Sequence, residues 1–283
     1  MRTASLIAAF NAILLALMIA FAPKPDATPR QSLRLMTLNA QFFMAAGNRV
    51  ASSLNELSDL IDVEQPDILA LQETDANSPI GANQNGVWWL GRANRMNYYY
   101  GPPTSKYTPG VALLSRWPIT SARYVMLPAK HSMARGVVDA VIATPGGPVQ
   151  VIVAHLQWAE QPGEEGSKNR EDQIAQAAAI LRMVRADMPS AILGDFNAGP
   201  GYPGPAYDML ATRYTDAWID AGNPTDHASG YTWPSAKPEM RIDLVWLSAG
   251  DWIVQPRTAR VLGDPRLSDH RAVIVDAGPI QVK

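Results

Sequence analysis

The chain has 283 residues, 47% of them hydrophobic, enough for one large domain with a substantial core. A formal net charge of −2 gives no overall basic field, which disfavours nucleic acid as a tightly held scaffold though not as a substrate. The absence of cysteine excludes disulfides, thiolate zinc sites and cysteine nucleophiles, so any metal must sit on oxygen or imidazole ligands.

The chain opens with Arg2 and then an apolar run from Leu6 to Ala22 broken only by Asn11. As a helix rising ~1.5 Å per residue the run spans roughly 25 Å, short for a membrane span, which usually needs about 20 residues. The basic start, apolar centre and pattern Ala20-Phe21-Ala22 predict, over residues 1–22, an export signal or an uncleaved membrane anchor, and Pro23 disfavours cleavage after Ala22. The plainer alternative is a buried N-terminal helix. Three prolines between Pro23 and Arg30 make residues 23–31 a linker, and the folded domain is expected over 32–283.

Short apolar runs predict strands at Leu33–Asn39, Asp67–Gln72, Val111–Ser115, Val137–Thr144, Val149–His155, Ala191–Asp195, Ile242–Leu247 and Ala272–Asp276. Several are nearly continuous in apolar residues, as strands covered on both faces are. A helix over Val50–Val63 puts Val50, Leu54, Leu57 and Ile61 on one face; a second over Asn169–Asp187 does the same with Ile174, Ala177, Leu181 and Val184. Pro66 and Pro189 stop them. Gly146-Gly147 joins two strand runs as a hairpin. Glu160–Glu171, with its acids and glycines, reads as a mobile, solvated loop. Strands with covering helices give a layered α/β sandwich.

Polar residues cluster where these strands begin and end. Leu33–Leu38 runs into Asn39, Asp67–Leu71 into Gln72-Glu73, Val149–Ala154 into His155, and Ala191–Gly194 into Asp195-Phe196-Asn197. Asp243 opens Leu-Val-Trp-Leu, and Ser268-Asp269-His270 precedes Ala-Val-Ile-Val with only Arg271 between. Such groups are costly to bury unless paired, and convergence at one mouth of the sandwich would form a polar pocket. Phosphate-ester hydrolysis needs this set: charge neutralisation on the phosphoryl oxygens, an activated water and help for the leaving group. Glu73, Asn39 and Asp269 suit a hard cation such as Mg²⁺. Asp195 suits orientation or deprotonation of the water, and Asn197 can donate to a phosphoryl oxygen. His155 or His270, held by a carboxylate, can carry charge or a proton.

In order along the chain, Met-Thr-Leu-Asn to Asn39, Leu-Gln-Glu at 71–73, Gly-Val-Ala-Leu-Leu-Ser-Arg at 110–116, Ala-His-Leu at 154–156, Gly-Asp-Phe-Asn at 194–197, Arg-Ile-Asp at 241–243 and Ser-Asp-His at 268–270 form a specific series. The chain resembles the endonuclease/exonuclease/phosphatase superfamily, and the resemblance covers about Leu33 to Asp276. It implies a four-layer α/β/β/α sandwich of two packed mixed sheets flanked by helices. It also implies a phosphoesterase using Mg²⁺, or Mn²⁺ or Ca²⁺, on a nucleic acid or phospholipid headgroup, without an obligate protein partner. Glu73 becomes the main metal ligand with Asn39 and Asp269 nearby; Asp195 handles the water, Asn197 the phosphate, and Asp243 pairs with His270. His155 matches the secreted-nuclease and sphingomyelinase branch, and Arg135 lies where a phosphate-binding arginine is often found.

One departure stands out. The secreted deoxyribonucleases supply a glutamate for the first histidine just before the strand at 111–115, whereas Tyr107-Thr108-Pro109-Gly110 holds no acid. A backbone carbonyl or another carboxylate must then orient His155. A phosphomonoesterase, or a catalytically dead binder of a phosphorylated ligand, are the alternatives; the latter would show losses among the key residues, and none is lost. Export or membrane tethering through residues 6–22 follows from the N-terminus. His131 and His227 match no motif and read as solvated. Trp88-Trp89 and Tyr98-Tyr99-Tyr100 could stack a base or meet lipid, with core packing the plainer role.

Overall fold

A computed structural model describes residues 32–44, 50–75, 85–101, 110–159, 163–200, 205–263 and 266–280, all within the compact unit Gln31–Lys283. The expected N-terminal signal or anchor and the linker lie outside the described residues. Among the described residues no helix is long and apolar enough to cross a membrane.

The elements run in order β1 (Leu33–Asn39), a 3₁₀ turn (Gln41–Phe43), α1 (Val50–Glu64), β2 (Ile68–Thr74), α2 (Gly86–Ala93), β3 (Asn97–Gly101), β4 (Gly110–Ser115), β5 (Ile119–Met126), β6 (Gly136–Thr144), β7 (Gly147–His155) and α3 (Gly163–Met183). They continue with β8 (Ser190–Asp195), α4 (Pro205–Leu210), β9 (Tyr214–Asp216), α5 (Ala217–Asp220), a 3₁₀ turn (Ala228–Gly230), β10 (Asp243–Ser248), β11 (Trp252–Val254), β12 (Arg260–Leu262) and β13 (Ala272–Pro279). One sheet has the order β11-β13-β1-β2-β4-β3, with β12 also on β13; the other has the order β5-β6-β7-β8-β10-β9. Each is mixed. The pairs β1/β2 and β7/β8 are parallel, and each is joined by a helical crossover, α1 or α3, as parallel neighbours require.

Three apolar clusters define the layers. Leu35, Ala70, Val151, Leu193, Val245 and Val275 fill the space between the sheets. Leu54, Leu57 and Ile61 of α1, with Val87 and Leu90 of α2, cover the outer face of the first sheet on Met36, Leu69 and Ile274. Ala177 and Ile180 of α3, with Ala206 and Leu210 of α4, cover Ile152, Ile192 and Trp246 on the second. This is the four-layer α/β/β/α sandwich implied by the sequence.

The expected strands are present within one to three residues at either end. The Gly146-Gly147 hairpin forms as well: Thr144 pairs with Gly147 across a Pro145-Gly146 connection. The edge strands β3 and β5 escaped the periodicity because much of their surface is exposed. The stretch expected to be a loop at 160–171 is helical from Gly163. Glu164 and Glu165 sit in the first turn, where acids complement the helix dipole. α3 is also rotated from its expected face. Ile174 is 39% exposed, whereas Asn169, Asp172, Gln173 and Gln176 are buried with Ala177 and Ile180. Leu54, Leu57 and Ile61 do form the buried face of α1; the Val50 side chain lies outside what is described. Trp89, Tyr99 and Tyr100 pack against the cores, while Trp88 and Tyr98 are exposed.

Candidate active site

Side chains alternate along a strand, so one face is read at every second residue. Leu33 and Leu35 of β1, Val149, Val151 and Val153 of β7, Ala191 and Leu193 of β8, and Val245 and Leu247 of β10 line the space between the sheets. The same period carries Asn39, His155, Asp195 and Asp243 onto that inner face. Register fixes them at one end: His155 pairs with Asp195, and Asp195 with Asp243, on adjacent strands. The polar mouth is the continuation of the core rows, and all four residues are buried.

Asp195 is its centre. Asn39 Nδ2 donates to Asp195 Oδ2 across the sandwich at 3.1 Å, and the Asn197 backbone N–H donates to Oδ1 at 2.9 Å. His155 Nε2 and His270 Nε2 stand 3.5 and 3.9 Å from Oδ2. His270 Nδ1 lies 2.8 Å from Asp243 Oδ2, the pairing the motifs implied. The Asn197 side chain donates to the Leu156 carbonyl at 2.9 Å, and the residue adopts φ 47°, a left-handed conformation that asparagine tolerates better than most.

Glu73 reaches the mouth by an irregularity. Gln72 already faces inward, bonded to Thr37 Oγ1 at 3.2 Å, so regular alternation would turn Glu73 outward. A register shift between Gln72 and Thr74, with Glu73 at φ 48°, re-aims it. Its carboxyl then lies within the influence of Asn39, His270, Asp269 and Arg135. Asp269 is held by its backbone: its N–H donates to Gln41 Oε1 at 3.2 Å, and its carbonyl accepts from Ser235 N at 2.6 Å.

Arg135 packs against His155, with NH1 3.1 Å from Nδ1 and 3.3 Å from Nε2. The missing acid before Val111 is thus answered by Arg135 on one side and Asp195 on the other; residues 107–109 themselves lie outside the described residues. His227 caps a surface 3₁₀ turn and His131 pairs with the exposed Glu171.

Burial and charge sort the protonation states. Burial raises Asp195, and the Asp243 charge raises it further, to about 7 despite His270. Burial works to lower His270, but the charge and hydrogen bond of Asp243, helped by Asp195 and Asp269, outweigh it and raise the imidazole to about 10. His155 falls well below its ordinary value through burial, then through the charges of Arg135 and His270. Burial also raises Glu73, against the hydrogen bond from Asn39. The result is an imidazolium at 270 and a neutral imidazole at 155.

A cation fits this mouth. The carboxyl groups of Glu73, Asp195, Asp243 and Asp269 gather against Arg135 and His270, with His155 kept neutral. Asp195, Asp243 and His270 offer ligand atoms within 4.8 Å of one another. His270, however, commits Nδ1 to Asp243 and holds a proton, which a metal ligand must give up. Glu73 with the Asn39 amide and Asp269 is the better oxygen set for a hard ion.

Several contributors were not foreseen. Ser268 donates to the Asn39 carbonyl at 2.6 Å and accepts from His270 N at 3.1 Å, tying the approach to β13 to the end of β1 in the same sheet. Thr232 Oγ1 accepts from Asp243 N at 3.3 Å. Trp233 lies 6.4 Å from the His270 ring and 5.7 Å from Trp158. For Ser268 the signal was its place in Ser-Asp-His; the others carried none.

Comparison with known proteins gives a consistent result. The model of the endonuclease/exonuclease/phosphatase family matches residues 36–270. Protein cwh43 of Schizosaccharomyces pombe is 27% identical over 194 residues, 67% of this chain but 19% of that protein, so the match spans under a fifth of the relative's length. Among solved structures, an endonuclease/exonuclease/phosphatase from Beutenbergia cavernae superposes with a TM-score of 0.70 at 25% identity, covering 88% of this chain and 72% of that one. TDP2 from C. elegans superposes with a TM-score of 0.64 at 18% identity, over 87% and 75% of the two chains, a likeness of fold.

Proposed function

The chain belongs to the endonuclease/exonuclease/phosphatase family and is a hydrolase of phosphoric ester bonds, and on that premise we propose that it cleaves a phosphodiester, of nuclease or phospholipid type, by in-line attack of an activated water with a divalent cation. The observation that carries the reading is the doubly held Asp195 carboxylate, with Asn39 on one oxygen and Asn197 on the other, facing the His270–Asp243 pair.

Glu73, with Asn39 and Asp269, would hold Mg²⁺, or Mn²⁺ or Ca²⁺. When bound, the ion neutralises charge on the phosphoryl oxygens. Asp195 orients the water and takes its proton as the new O–P bond forms and the bond to the leaving oxygen breaks. Asn197 has one amide N–H committed to Leu156 and one left for the phosphoryl oxygen. His270 presents Nε2–H to the same group, kept charged by Asp243. Arg135 supplies a fixed cation, and beside it His155 is a neutral donor. Charge built up in the transition state meets groups already in place, the source of most such acceleration.

The test is hydrolysis of bis(p-nitrophenyl) phosphate by the full chain with Mg²⁺, then with chelator, and then by Asp195→Ala and His270→Ala. Turnover lost with chelator and cut by ~10²-fold or more in each variant is expected. No turnover, or turnover indifferent to all three, contradicts the reading. DNA, RNA, sphingomyelin, phosphatidylinositol and phosphomonoesters in parallel identify the substrate. The basic start and apolar run of residues 6–22 support export or anchoring of this unit, which cell fractionation tests.

A further inference from the structure

We propose that Gln173 is a positioning residue for this reaction: its buried amide clamps the loop after β7 to the loop after β8 and so fixes Asn197 in its place beside His155 and Asp195. The inference rests on the hydrolytic reading of the site.

The orientation of α3 is the first observation. Gln173 and Gln176 are fully buried, while Ile174 between them is 39% exposed. Burying amides and exposing an isoleucine runs against transfer free energy unless the amides are bonded. They are. Gln173 Nε2 donates to the Gln157 carbonyl at 2.8 Å and the Asn197 carbonyl at 3.0 Å, with the Phe196 carbonyl at 3.4 Å. Gln157 follows His155 by two residues, and Phe196-Asn197 follow Asp195. One primary amide therefore spans both strand ends that carry the water-handling groups.

The second observation is what it holds. Asn197 sits at φ 47°, a conformation that persists in a non-glycine residue when its surroundings over-determine it. Its N–H is held by Asp195 Oδ1, its side chain by the Leu156 carbonyl, and its own carbonyl by Gln173. Gln173 is the holder that belongs to neither loop. Gln176 assists one side only, accepting from Gln157 N at 2.9 Å and donating to the Pro128 carbonyl at 3.2 Å.

A double-mutant cycle in the full chain, on bis(p-nitrophenyl) phosphate with Mg²⁺, separates positioning from packing. Gln173→Met keeps length and removes the donors; kcat is expected to fall ~10- to 100-fold with KM within about threefold. Asn197→Gly keeps the backbone conformation and removes the amide. In that background Gln173→Met is expected to change kcat by less than about threefold, because the group it positions is gone. Fold losses that multiply, a loss confined to KM, or a Gln173→Met enzyme within twofold of wild type would each overturn the proposal. If Gln173→Met does not fold, Gln173→Ala, whose cavity admits water to the freed carbonyls, replaces it in the cycle. Failure of both to fold makes Gln173 a folding residue and also overturns it. Absence of turnover in the wild type counts against the hydrolytic reading instead.

Discussion

Asp243 and His270 meet across the sandwich, Oδ2 to Nδ1 at 2.8 Å, although Asp243 opens β10 in one sheet and His270 leads into β13 in the other. The Asp243 charge pushes two neighbours in the same direction. After burial, it raises Asp195 by repulsion; against burial, it raises His270 by attraction and a hydrogen bond.

Asp243→Asn is therefore expected to move both limbs of the pH–rate profile downward. The acid limb, where Asp195 gains a proton, falls from about 7, and the alkaline limb, where His270 loses one, from about 10. A bound divalent cation lowers the acid limb in both proteins, so the shift is read at one metal concentration. Limbs that move in opposite directions contradict the assignments.

Arg135→Met removes a cation that lies 3.1 Å from His155 Nδ1. A loss of ~10²-fold in kcat/KM is expected from the missing phosphoryl contact. His155 should also bind its proton more tightly, since burial and the His270 charge would remain but the Arg135 charge would not. Imidazole NMR resonances followed through a pH titration measure it.

Asp172 accepts from the backbone N–H groups of Lys130, His131 and Ser132 and from the Ser132 hydroxyl, at 2.7 to 2.9 Å. Burial raises its pKa, but these bonds outweigh burial and hold it below the ordinary carboxylate value. A depressed folded pKa contributes stability above the unfolded pKa, and this is lost as pH falls through the folded value. Asp172→Asn is expected to cost ~1–3 kcal/mol at neutral pH and progressively less below about pH 4. Denaturant melts at the two pH values check it; an equal deficit at both would contradict the role.

Gly194 of β8 lies beside Ala154 of β7. A Cβ built there falls 1.9 Å from the Ala154 carbonyl oxygen, a backbone atom that cannot swing aside. Gly194→Ala is expected to destabilise by ~1–3 kcal/mol or more and to lower activity by spreading His155 from Asp195. Thermal melts and turnover should fall together.

Much of the site could be read because the chemistry continues a legible pattern. Val149-Val151-Val153-His155 and Ala191-Leu193-Asp195 each keep a period of two into the functional residue, so strand and site were one signal. Glu73 was identifiable from Leu-Gln-Glu, but its direction depends on a register shift against β4 that no local pattern announces. The polar face of α3 is hidden from the sequence for a related reason. Asp172, Gln173 and Gln176 look solvent-facing in sequence, and only the backbone N–H groups and carbonyls of distant loops make burying them favourable. The glycines of 163–166 then masked the helix start behind the appearance of a loop. The resemblance puts Arg135 near phosphate, while its packing on His155 is a tertiary contact beyond the reach of spacing.

The cross-sheet bonds from Asn39 to Asp195 and between His270 and Asp243 have a mechanical consequence. The pocket exists only while the two sheets keep their mutual alignment, so an ion or phosphate seated there acts as a rivet between them. Whatever binds the aligned form alone adds RT ln(1 + [L]/Kd) to its resistance to unfolding. Thermal shift with inorganic phosphate and Mg²⁺ thus reports on occupancy of the site without any turnover, and offers a first measurement before a substrate is in hand.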